Sequence, residues 1–114
     1  MPQDEALIRI DWDVLFSAGS IVLVGDPLCG ILNVFDHIKA VNPKAALSIV
    51  QDRNSISLFE NAEVVIEVVQ KSSGKTVERD LIIQKWKGHD VPGLMIPFLI
   101  KGSKIELDTK ARVV

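Results

Sequence analysis

The stretch Asp26-Pro27-Leu28-Cys29-Gly30-Ile31-Leu32-Asn33-Val34-Phe35-Asp36-His37-Ile38-Lys39-Ala40-Val41-Asn42-Pro43 decides the fold, because it fits either of two conformations. As a helix, Asp26 caps it and Pro27 takes the first position. Leu28, Ile31, Leu32, Phe35 and Ile38 then share one face, with Pro43 beyond the end. As a strand, Gly30 marks a bend where the missing Cβ has a purpose, and Asp36 closes the run in a turn. The branched or weak helix formers Ile31, Asn33, Val34, Asp36, Ile38 and Val41 favour that second form. Local pattern alone leaves both open.

Outward from this stretch the chain reads as β. Val64, Ile66 and Val68 alternate with Val65, Glu67 and Val69; Val77, Arg79, Leu81 and Ile83 alternate with Glu78, Asp80, Ile82 and Gln84. Lys71-Ser72-Ser73-Gly74-Lys75 joins the two runs, so residues 63–86 are expected to form a hairpin with one charged, solvated face. Further strands are expected at Ile21 to Val24, Ala46 to Val50, Leu94 to Ile100 and Lys104 to Asp108. Turn signals separate them at Gly25-Asp26-Pro27, Asn42-Pro43, Asp52-Arg53-Asn54, Gly88-His89-Asp90, Pro92-Gly93 and Gly102-Ser103. Ala6 to Ile10 reads as extended, and Trp12, Leu15 and Phe16 suit one face of a short helix within Asp11 to Ala18.

The 114 residues are enough for one core, and 1–114 is taken as one domain. A hydrophobic fraction of 47% beside 25% charged residues is the balance of a folded chain. The net charge of −2 gives no global field to attract phosphate polymers, so a nucleic-acid contact would need a local basic patch. The single cysteine, Cys29, excludes an internal disulfide and a thiolate zinc set, which fits a reducing compartment. Met1-Pro2-Gln3-Asp4-Glu5 is acidic where a secretory leader is basic. The longest apolar run, Leu94 to Ile100, contains Pro97 and is far shorter than the ~20 residues that span a bilayer. The expectation is a cytoplasmic protein with no membrane partner.

Candidate chemistry is sparse. Gly25 and Gly30 have the G-x-x-x-x-G spacing of a phosphate-cradling loop, but Ile31 and Leu32 follow where a lysine and a hydroxyl residue are required. They read as turn glycines. Asp36-His37 and His89-Asp90 could orient a base or complete a metal shell, and Asp11 and Asp13 around Trp12 could hold a hard cation; each lacks converging partners. No nucleophile elbow or zinc-binding helix motif occurs, so neither catalysis nor a cofactor nor a metal is expected. Lys71, Lys75, Arg79, Lys85 and Lys87 are interleaved with Glu67, Glu78 and Asp80, as on a mixed solvent face.

Gly30-Ile31-Leu32-Asn33-Val34-Phe35-Asp36 resembles the first signature of Sm-like proteins, a G-x-L/I-x-x-F/Y-D on a strongly bent strand. Ile100-Lys101-Gly102-Ser103-Lys104-Ile105-Glu106-Leu107 resembles their second signature, with Lys101 where arginine is usual. The resemblance implies a five-stranded small barrel that assembles as a ring and binds single-stranded RNA. It further implies that Asp36, His37, Lys101 and Gly102 lie at the RNA-binding loops. The resulting expectation is a mostly β barrel or sandwich with a short N-terminal helix, homo-oligomeric and non-catalytic. The structural alternative is an α+β fold with a helix over 27–41. The functional alternative is a structural or protein-interaction β domain, such as a virion or complex-assembly component, with no nucleic-acid role.

Overall fold

The computed structural model describes residues 7–51, 56–89, 93–108 and 110–113. The turn expected at Asp52-Arg53-Asn54, together with Ala6, Asp90 and Pro92, lies outside them. Eight strands make one mixed sheet: β1 (Leu7–Arg9), β2 (Ser20–Val24), β3 (Ala46–Val50), β4 (Val64–Ser73), β5 (Thr76–Trp86), β6 (Leu94–Lys101), β7 (Lys104–Leu107) and β8 (Lys110–Val113). Its order is β1-β8-β6-β5-β4-β2-β3, with β7 also paired to β6. The protein is mostly β, about half strand and a quarter helix, and the sheet curls into a half-barrel.

The expected hairpin is β4–β5, antiparallel from Val64↔Trp86 to Ser73↔Thr76, with a register shift between Val65 and Ile66 that leaves Gln84 as the extra residue. Such a bulge sharpens strand twist and helps a sheet curl. The short N-terminal helix α1 is Trp12–Phe16. Asp11 caps it, its carboxylate accepting from the N–H groups of Asp13 (3.1 Å) and Val14 (3.3 Å). That is the use the structure makes of the Asp11 side chain.

The ambiguous stretch is helical, which corrects the bent-strand expectation for Gly30 to Asp36. A 3-10 turn over Pro27–Cys29 runs through Gly30 into α2 (Ile31–Val41). Ile31, Val34 and Ile38 are fully buried along one face, and the Asn42 N–H closes the helix on Ile38 C=O at 2.7 Å. The physical reason is non-local. Strand β2 pairs in parallel with β3 on one side and β4 on the other, and parallel neighbours require a crossover, normally helical. The unbroken burial of Ile21, Val22, Leu23 and Val24 is the mark of a strand covered on both faces.

Alternation along β2 divides the interior. Ile21 and Leu23 join Leu15, Phe16, Ile31, Val34 and Ile38 in the larger core, with Val64, Ile66, Leu81, Ile83, Ile96 and Phe98 from the sheet. Val22 and Val24 face the other way, into a smaller cluster with Val65 and Ala62. Phe59, on the short helix α3 (Ile56–Asn61), packs against that second cluster.

Candidate functional site

The connections that follow β2 and β3 therefore lie on opposite faces: α2, after β2, belongs to the larger core, whereas Phe59 of α3, after β3, belongs to the smaller. In an open sheet this arrangement is a topological switch point, where ligands enter a crevice at the carboxyl ends of the strands. Here that position lies between the carboxyl ends of β2 and β3; the Gly25–Gly30 turn after β2 forms one side of it, and residues 52–55 after β3 are outside the described residues.

The turn is closed on itself. Asp26 accepts the Leu28 N–H at 2.9 Å through its carboxylate, and its carbonyl accepts the Cys29 N–H at 3.0 Å. The Cys29 thiol donates to the Asp26 carbonyl at 2.7 Å and lies 3.3 Å from the Val68 carbonyl. Burial pushes the thiol above its ordinary pKa, against the lowering effect of the backbone hydrogen bonds and with a small further rise from the Asp26 charge.

Neighbouring strands fill what remains. A Cβ on Gly25 would lie 2.6 Å from the Val68 carbonyl oxygen, because β4 continues past the end of β2. Gly30 has φ +91°, and a Cβ there would lie 2.9 Å from Ile100 Cδ1 and 3.6 Å from Arg79 Cδ and Nε. Arg79 Nε is buried and has no hydrogen-bond partner among the described residues. Of the two residues standing where a phosphate loop places its lysine and hydroxyl, Ile31 is fully buried, whereas Leu32 is 56% exposed. The adjacent Leu28 is 85% exposed. A turn closed on itself thus forms the described side of the switch point.

The residues expected at RNA loops lie on α2 and at the β6–β7 turn. Asp36 is exposed and His37 half-buried, both on α2. The His37 ring meets Phe16 edge-on at 5.8 Å, and burial lowers its pKa. Lys101 ends β6 and pairs with Glu106 at 2.8 Å. Gly102 makes the β6–β7 turn at φ +65°. The two signature patches meet where Ile100 lies against Gly30 and where α2 packs on β7, with Ile105 in the same core as Ile31 and Val34.

Of the other sequence candidates, Asp11 caps α1 and Asp90 lies outside the described residues. His89 stacks on Trp86 with ring centroids 3.9 Å apart. Among the described residues no group of three His, Cys, Asp or Glu side chains gathers to hold a metal. A shallow depression of about 380 Å³ runs beside Pro97, Leu99, Glu106 and Asp108. Sequence reasoning found the turn glycines but not the switch point. Its trace was the unbroken apolar run Ile21 to Val24, set between a helical pattern and a second strand.

No family model matches the sequence, and no curated protein matches it. Among solved structures the chain is similar to a KaiC-like protein from the archaeon Pyrococcus horikoshii, at 16% identity and TM-score 0.43, covering 79% of this chain and 46% of that one. It is also similar to the flagellar accessory protein FlaH from Methanocaldococcus jannaschii, at 9% identity and TM-score 0.39, covering 83% of this chain and 50% of that one. The chain spans about half the length of these proteins. No described helix is long and apolar enough to cross a membrane.

Proposed function

We propose that this chain is a non-catalytic structural or protein-interaction domain, a component of an assembly rather than a nucleotide- or RNA-binding module. The observation that supports this is the filled turn after β2. Val68, Ile100 and Arg79 occupy the space beside Gly25 and Gly30, and Asp26 puts a carboxylate on the turn N–H that an anion would otherwise take. Exposed Leu28 and Leu32 beside it offer apolar surface to protein, not charge to phosphate.

The RNA-binding alternative has less support where Asp36 and His37 stand on a helix and exposed Lys101 is paired with Glu106. Two titrations test the choice: fluorescence anisotropy of a labelled single-stranded oligouridine at rising salt, and thermal unfolding with and without magnesium-ATP. The expected result is no binding and no shift. RNA affinity that weakens with salt and disappears in Lys101→Ala overturns the proposal in favour of the Sm-like reading, and an ATP-dependent stabilisation overturns it in favour of nucleotide binding.

A further inference from the structure

Strand β3 ends the sheet, and its hydrogen bonds show which groups face outward. The Ala46 N–H donates to the Gly19 carbonyl at 2.9 Å, and the Gly25 N–H donates to the Val50 carbonyl at 3.0 Å. With the unbroken parallel register Ser20↔Ala46 to Val24↔Val50, Ala46, Ser48 and Val50 direct both backbone groups toward β2. Leu47 and Ile49 direct theirs away from the sheet.

This edge lacks the usual guards. Natural edge strands carry lysine, proline or a bulge that deters pairing; Ala46-Leu47-Ser48-Ile49-Val50 has none of these and no charge. The other outer strands differ, with Arg9 on β1 and with Lys104 and Glu106 on β7. Leu47 and Ile49 are only partly buried against the larger core, and Val50 only partly against the smaller, so apolar surface is open on both faces beside the edge.

We infer that β3 pairs antiparallel with β3 of a second copy of this chain, about a two-fold axis at Ser48; this rests on the interaction reading above and gives it a surface. The complementarity is one of partial charge. The outward N–H and C=O of Leu47 meet the outward C=O and N–H of Ile49 in the second copy, and the exchange is reciprocal, as a two-fold contact requires. Ser48 then faces Ser48 of the second copy as a non-hydrogen-bonded pair, with Cα atoms ~4.5 Å apart. Leu47 lies opposite Ile49, and Ala46 opposite Val50, so each apolar face continues across the axis. Five residues give an edge of only ~17 Å, a short seam of few hydrogen bonds, so the association is weak. The dimer is therefore concentration-dependent.

Sedimentation velocity on the full chain over a wide concentration range tests this, with variants at exposed Ser48 and Ala46 that leave the core intact. Ser48→Lys sets two like charges against each other at the axis and weakens self-association at least tenfold. Ser48→Glu does the same, and mixing the two variants restores a heterodimer. Ser48→Cys gives a covalent dimer on mild oxidation; Ala46→Cys, whose partner position is Val50, does not, and the unmodified chain controls for Cys29. A dimer that survives Ser48→Lys places self-association elsewhere and overturns this assignment while leaving the interaction reading intact. A chain that stays monomeric at every concentration also overturns it, whereas the interaction reading falls only to RNA or nucleotide binding.

Discussion

Ile100 Cδ1 stands 2.9 Å from the position a Cβ would take on Gly30, and Gly30 holds φ +91° between the 3-10 turn and α2. The two residues lock the start of α2 to the end of β6. Gly30→Ala meets two penalties at once, about 1–2 kcal/mol for a left-handed L-residue and about 1–3 kcal/mol for overpacking. We expect a loss of about 2–5 kcal/mol in urea unfolding. Ile100→Val removes the offending methyl, so the double variant should recover the overpacking part but not the backbone part. Strict additivity in that cycle would show that the contact carries no energy.

Asn42 ties the two helices together. Its side-chain amide donates to the Phe16 carbonyl at 2.8 Å and to the Ala18 carbonyl at 3.2 Å, satisfying groups left open at the end of α1. Asn42→Ala should cost about 1–3 kcal/mol, because two partly buried acceptors lose their donor. Asn42→Asp, which offers no N–H, should be no better. A stability equal to the parent in either variant would mean that water replaces the amide without penalty.

How much of this was legible follows from the range of each interaction. The β4–β5 hairpin was readable because alternation and a glycine turn are local, and β3 and α1 were readable for the same reason. The conformation of Gly30 to Asp36 was not, since its residues satisfy both periods and the deciding contact is the parallel pairing of β2 with β3 and β4. At the site, Gly25 and Gly30 announced turns. That Val68, Ile100 and Arg79 arrive from distant strands to seal them depends on topology that no local pattern encodes.

The buried thiol of Cys29 gives a chemical readout of that seal. Burial raises its pKa and so keeps it protonated, and the thiolate is the reactive form. Native protein should react with a disulfide reagent far more slowly than the urea-unfolded chain, by at least tenfold at neutral pH. Gly30→Ala, by forcing Ile100 away, should accelerate the native reaction. A Cys29 that reacts as fast folded as unfolded would show that the turn is open.

His37 is held neutral by burial, so its folded pKa lies below the ordinary value of 6.5. The unfolded chain then binds the proton more readily, and stability rises with pH across that interval. The contribution is fully present above pH 6.5 and is lost as pH falls through the folded pKa. An NMR titration of the ring should give a midpoint below 6.5. His37→Gln should flatten the acid side of the stability profile; an unchanged slope would assign it to other groups.

Asp80 has the opposite sign. Burial raises its pKa above the ordinary 3.8, Glu78 adds to the rise, and Lys71 opposes it. In the sheet it lies across from Val69 on β4 and Pro97 on β6, so its ionised form is flanked by apolar neighbours. The folded state therefore holds the proton more tightly than the unfolded chain. Its favourable contribution is present below pH 3.8 and is lost as pH rises through the folded value. Asp80→Asn keeps the shape and removes the charge, so it should stabilise the protein at neutral pH. The gain should stay below about 1 kcal/mol, since a partly exposed carboxylate is screened. At pH 3 variant and parent should unfold at the same urea concentration. Lys71→Ala should destabilise the parent at neutral pH more than the Asp80→Asn variant, where Lys71 still faces Glu78 across the hairpin, and an equal effect in both would remove Lys71 as the compensating charge.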